Sequence, residues 1–251
     1  MSRTKRSFAV TKVASDGSSD TRAGRVEVEE PLEIRAGGAS VATLTRTPGH
    51  DIELAHGLLQ AQGLIARLED VVTARYCEGT IGGENTYNLL DIQLAQPVIP
   101  QFIDPIPGDA CGISAEQRVR ELASSLNVRT EFAGFEPSAI FALPALLSRH
   151  RARELSTAVA GDVGRQDLNP VNAVHKVAGH MLLDGVPSPT FPLAVDARVG
   201  FEIVRAAAAA GFSAVATTAG VTSMAVELAR ATNTVLIGEI TAERFSVYSG
   251  A

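Results

Sequence analysis

The chain has 251 residues, 45% of them hydrophobic and 20% charged, enough to bury one large core or two small ones. A formal net charge of −6 argues against a broad phosphate-backbone footprint, and so against a general nucleic-acid binder. Two cysteines, Cys77 and Cys111, are too few for a disulfide framework or for structural zinc, and no run of 18 apolar residues is present to cross a membrane as a helix.

Residues 1–24 are rich in Ser, Thr, Lys, Arg and Asp and show no periodicity, which predicts a mobile tail. The tail is basic but has no apolar stretch, so it is not a secretory signal, and a cytoplasmic location is expected. From Arg25, RVEVEEPLEIRA, the pair Gly37-Gly38 and SVATLTRT predict two strands joined by a glycine turn. Asp51 to Gln62 predicts a helix with Ile52, Ala55, Leu58 and Leu59 on its apolar face and Gly63 as its stop. VVTARYC and NLLDIQLA alternate as strands do, and QPVIPQFIDPIPGD, with four prolines in 14 residues, can only be a connector.

Beyond the connector the pattern changes. Ser114–Leu126, residues 137–153 and Val171–Leu183 predict helices. FPLAVDA, SAVATTA and TVLIGEI are short apolar runs separated by helices at Phe201–Ala210 and Ser223–Thr232. Strands this apolar belong to a partly parallel sheet covered on both faces. The expectation is a mixed α/β protein, with a β-rich subdomain over residues 25–108 and a layered α/β subdomain over residues 109–251.

Cys111 stands in the most informative segment, Pro107-Gly108-Asp109-Ala110-Cys111-Gly112-Ile113-Ser114. Ser114 with Gln117 fits a capping box, so a helix is expected to begin at Ser114 with Cys111 three residues before it. The free N–H groups of a helix start favour a thiolate, and the thiolate is the reactive form. A lone cysteine is also commonly a small buried hydrophobe. Cys77, in an alternating strand, fits that description better.

From about residue 26 to residue 248 the chain resembles the FdhD/NarQ family. Arg46-Thr47-Pro48-Gly49, Asp51, Glu53-Leu54-Ala55, Gly57 and Gly63 look like its RTPGDD-ELA-GFL-EG segment, and Ala110-Cys111-Gly112 like the start of its CG-x-C motif. Arg165, Asp167, Asn172-Ala173, Lys176-Val177 and Gly179 look like a gapless match to its REDVGRHNA-x-DK-x-x-G segment. Arg198, Phe201-Glu202 and Ala206, then Thr222-Ser223, the AVELA run at 225–229, Arg244-Phe245 and Val247-Tyr248, follow its C-terminal motifs. Common order and spacing carry the resemblance, rather than any one motif.

The resemblance implies a C-terminal part related to cytidine deaminases and a sulfurtransferase role. Cys111 would take a persulfide from a cysteine desulfurase and pass its sulfur to the molybdenum bis(guanine dinucleotide) cofactor required by formate dehydrogenase. Glu239, Ile240, Thr241, Ala242, Glu243 and Arg244 match the family's cofactor-binding stretch, where Arg244 could pair a phosphate. The implied partners are the desulfurase, the dehydrogenase and the cofactor, with no nucleic acid, no membrane and no metal held directly by side chains; a homodimer is one option, the sequence leaving the oligomeric state open.

Three departures stand out. Ser114 replaces the second motif cysteine, Leu146-Leu147-Ser148-Arg149-His150 keeps only the histidine of a TGG-x-HAAA segment, and Val171 and His175 stand where the family has histidine and aspartate. A literal Asp162-Val163-Gly164-Arg165 lies upstream, but using it needs a five-residue insertion. These departures open an alternative, a non-catalytic binding chaperone for the cofactor or a guanine nucleotide. A zinc deaminase is excluded, because it needs H-x-E and P-C-x-x-C and only Cys111 and Ser114 stand at the second motif.

Overall fold

Alternation of apolar and polar side chains builds the first sheet. In β3 (Glu30–Ala36) Leu32, Ile34 and Ala36 are buried while Glu33 and Arg35 point away, as a half-buried strand requires. Gly37 and Gly38, both at positive φ (59° and 83°), turn the chain into the antiparallel β4 (Ala39–Arg46). With β5 (Val71–Tyr76) and β8 (Leu89–Leu94) they form a four-stranded sheet ordered β4-β3-β8-β5. The two-residue strands β6 (Thr80–Ile81) and β7 (Glu84–Asn85) pair between them. This computed structural model describes residues 4–77, 80–81, 84–85, 87–96, 115–124, 126, 128–152, 154–186 and 191–250.

Helix α1 (Asp51–Ala61) covers that sheet with Leu54, Ala55, Leu58 and Leu59, and Gly63 at φ 71° follows its end. Ile52, expected on the apolar face, is 37% exposed instead. Position 52 lies in the first turn, two residues ahead of Leu54, the first apolar residue of α1 that packs on the sheet.

A second sheet of six strands, ordered β10-β9-β11-β12-β13-β14, forms the C-terminal layer. Its centre is the expected parallel trio β11 (Leu193–Val195), β12 (Ala214–Thr217) and β13 (Val235–Gly238). β9 (Ser156–Ala160), β10 (Val163–Asp167) and β14 (Ser246–Ser249) extend it antiparallel; none of the three was expected. Helices α4 (Pro170–Leu183), α5 (Phe201–Ala209) and α6 (Ser223–Ala231), with α2 (Ala115–Ser124), pack one apolar cluster. α3 (Pro137–His150) packs another through Ile140, Leu143 and Leu147. Asn169 caps α4 and Thr222 caps α6, each side chain accepting a backbone N–H of the first turn.

The first 24 residues depart from expectation. β1 (Lys5–Val13) and β2 (Ser19–Glu27) pair antiparallel over nine residue pairs, where composition predicted no regular structure. The connector, Cys111 and Ser114 lie outside the described residues.

Candidate functional site

The motif residues of the Arg46–Gly57 and Arg165–Gly179 segments meet at one junction, where α1 crosses α4. Two glycines allow the close crossing. A Cβ on Gly57 would overlap the carbonyl of His175, and one on Gly179 the carbonyl of Glu53. The turn entering α1 meets the turn entering α4 directly, since the Thr47 amide donates to Asp167 Oδ2 (3.1 Å) and the Leu168 amide to Thr47 Oγ1 (3.1 Å).

Three groups of polar side chains hold this junction. Arg46, fully buried, donates to Asp51 Oδ2 from Nε and Nη2 (3.1 and 2.9 Å) and to Glu30 Oε2 from Nη1 (3.2 Å). Tyr76 Oη and the Gly49 amide donate to the same Asp51 carboxylate. Deeper in, Lys176 Nζ donates to Asp167 Oδ2 (2.7 Å) and to the Thr47 carbonyl (2.9 Å), with side-chain exposures of 1% and 0% for the two ions. Asp167 also accepts from the Thr47 amide and from Asn172 Nδ2. At the rim, Arg165 grips Glu53 bidentately (2.5 and 2.7 Å), while His50 and His180 approach the same carboxylate at 3.2 Å. Partial burial alone would raise the Glu53 carboxyl, but hydrogen bonds and charge from Arg165 and His50 outweigh it and hold it at about 2.

Of the residues in the gapless register, Asp167, Asn172 and Lys176 share one network, while Arg165 pairs with Glu53 at the rim. In Asp162-Val163-Gly164-Arg165, Gly164 instead provides room for the His150 ring. His150 is thereby packed rather than free. His175 is buried, and burial, with help from the Arg205 charge, pushes its imidazole down to about 4. Both histidines read as structural. The sequence reading found these residues as motif members but missed their roles as buried ion pairs. The available signal was a charge, Lys176, on the apolar face of a helix.

The stretch 239–244 lies elsewhere, in the connection from β13 to β14. Glu239 adopts φ 55° and donates its amide to the Ala219 carbonyl. Ile240 is buried, whereas Thr241 to Arg244 are exposed, held in a turn by hydrogen bonds between Thr241 and Arg244. Hydrogen bonds from Ser246 and Tyr248 keep the Glu239 carboxyl below its ordinary range. This turn stands at the carboxyl ends of the parallel strands, where ligand crevices form in open α/β sheets. Arg198, exposed, lies across Gly220 there, and α5 and α6 both start at that edge. A cavity of about 380 Å³ opens elsewhere, among Gln60, Gly63, Leu122, Leu126, Arg205 and Ala209, and residues 239–244 do not line it. Among the described residues no three His, Cys, Asp or Glu side chains are placed to hold a metal ion, and no helix is long and apolar enough to cross a membrane.

Comparison with known proteins decides the family, since the model of the FdhD/NarQ family matches residues 27–251. The chain belongs to the FdhD/NarQ family. It is 36% identical over 253 residues to the sulfur carrier protein FdhD of Corynebacterium efficiens, covering 92% of this chain and 91% of that one. The sulfur carrier protein FdhD of Nocardia farcinica is also 36% identical, over 92% of this chain and 88% of its own. A crystal structure of a Desulfotalea psychrophila protein assigned as a formate dehydrogenase accessory protein superposes with a TM-score of 0.72. It covers 98% of this chain and 96% of that one at 17% identity, so it supports the fold. The junction residues tie the strand and helix of the first layer to β10 and α4 of the second.

Proposed function

We propose that this chain is a sulfur carrier in formate dehydrogenase maturation, with Cys111 as the sulfur-bearing atom. The observation that carries the reading is sequence likeness along nearly the whole length of relatives named sulfur carrier proteins, with a cysteine kept at Cys111. A thiolate accepts a sulfane sulfur from the persulfide of a cysteine desulfurase, leaving the desulfurase as its thiolate and Cys111 as a persulfide. The terminal sulfur then passes to the molybdenum bis(guanine dinucleotide) cofactor, which is cargo rather than a resident group: the S–S bond breaks, Cys111 leaves as its thiolate, and the sulfane sulfur becomes a sulfide ligand by taking two electrons from the reduced metal.

The cofactor is held, on this reading, by residues 239–244 at the carboxyl ends of β12 and β13. Arg244 and the neighbouring Arg198 supply cations for a diphosphate. Glu239, paired to Ser246 and Tyr248, is turned toward β14. The protein works as a homodimer alongside the desulfurase and the dehydrogenase. Because Ser114 replaces the second motif cysteine, one sulfur atom is carried at a time with no local disulfide.

The test is restoration of formate dehydrogenase activity in cells lacking the native carrier. Wild type should restore it, Cys77→Ser should match wild type, and Cys111→Ser should fail. Full restoration by Cys111→Ser would transfer the role to a binding chaperone.

A further inference from the structure

The cavity of about 380 Å³ has room for a small organic ligand, since sites for such ligands run from roughly 300 to 1,000 Å³. Its walls come from the end of α1, from α2 with the residues that follow it, and from the end of α5. α5 begins at the edge where residues 239–244 stand and finishes at the cavity. The cavity and the proposed cofactor site therefore lie at opposite ends of that helix.

Among the described residues that line it, Arg205 alone is charged, and its side chain is 12% exposed. Glu202 accepts from Nε and Nη2 through a single oxygen, Oε2 (2.9 and 2.7 Å). The Nη1 hydrogens are left for an acceptor in the cavity. α1 supplies the opposite kind of group. Gln60 Oε1 is buried and receives no donor, and among the described residues the carbonyls of Ala61 and Gln62 accept no hydrogen bond. A buried acceptor left without a donor is costly. α1 and α5 both finish here, at Ala61 and Ala209, and the carboxyl end of a helix carries partial negative charge. Leu122, Leu126 and Ile65 make the remaining wall apolar.

One guanidinium set among carbonyl acceptors selects the ligand by charge. A dianion such as phosphate brings more negative charge than Arg205, already shared with Glu202, can balance beside two helix carboxyl ends. A simple cation meets Arg205. A zwitterion matches both groups: its carboxylate pairs with Arg205, its ammonium donates to Gln60 and to the end of α1, and an apolar side chain lies against Leu122 and Leu126. We infer that this cavity is a binding site for a free α-amino acid with an apolar side chain. Its occupant would join α1 of the first layer to α2 and α5 of the second.

Titration calorimetry of the full chain with L-leucine tests this, independently of sulfur transfer. L-Leucine should bind saturably. N-acetyl-L-leucine, which lacks the ammonium, and L-leucinamide, which lacks the carboxylate, should each bind about tenfold or more weakly. Glycine, without the apolar side chain, should also bind less tightly. Arg205→Gln and Gln60→Leu should each weaken L-leucine by about tenfold. Absence of saturable binding by L-leucine, equal binding of either derivative, or unchanged affinity in Arg205→Gln overturns the inference. The two derivatives are compared on the wild-type chain, so the outcome is decided even where a variant fails to fold.

Discussion

Lys176 is a buried cation whose partners are two backbone carbonyls and the carboxylate of Asp167. Removing one member of a buried pair strands the other, at about 3–5 kcal/mol. Lys176→Ala should therefore lower unfolding stability by that order in urea at neutral pH, and a loss below about 1 kcal/mol would show that the pair is not structural. His175 makes a second residue-level prediction. Its folded value of about 4 lies below the ordinary 6.5, so the unfolded chain binds the proton first as pH falls. The stability tied to its neutral form is whole above pH 6.5, erodes below it and is lost by about pH 4. Glu53, held at about 2 against an ordinary 4.5, loses its contribution later, as pH falls from 4.5 through 2. Melting temperature followed from pH 7 to 5 should fall in the wild type and fall less in His175→Gln. Equal slopes would mean that His175 does not titrate on unfolding.

The α1–α4 crossing is the element on which the two sheets depend. Ala at Gly57 or Gly179 must push a backbone carbonyl, and overpacking of this kind destabilises by about 1–3 kcal/mol. Gly134→Ala, with nothing within 4 Å, should be silent, and thermal melts of the three variants separate the cases. Elements with strong periodicity were legible in the sequence: α1, α4, α5 and α6 fall within about a residue of the predicted bounds, and the three parallel strands lie inside the predicted apolar runs but end up to two residues short of them. β10 was not, because VGRQD is polar and short, with one face against His150 and the Arg165 and Asp167 side chains committed to ion pairs. β1 and β2 were hidden for another reason, since a ribbon exposed on both faces carries no apolar period to detect. The site was legible as a set of motif residues. The meeting of the Arg46–Asp51 and Asp167–Lys176 pairs was not, because each pair is local, while the contacts that join them, from Thr47 to Asp167 and Leu168, span 120 and 121 positions and leave no local pattern.

At the scale of the whole molecule the junction is scaffold, and the proposed roles fall on other residues: Cys111, which precedes α2 in the sequence, and the 239–244 turn at the strand ends. Calorimetry with GDP checks the second location, and Arg244→Ala should weaken binding about tenfold, as loss of one charge-assisted contact does. Equal affinity in the two proteins would remove Arg244 from the site. The central claim is that Cys111 carries sulfur. Its most direct test is the intact mass of the full chain after incubation with a cysteine desulfurase, cysteine and pyridoxal phosphate, with peptide mapping of the product. The account predicts a gain of one sulfur atom on Cys111, reversed by a thiol reductant and absent from Cys111→Ser. An unchanged mass in the wild type, or sulfur found on Cys77 instead, would contradict it.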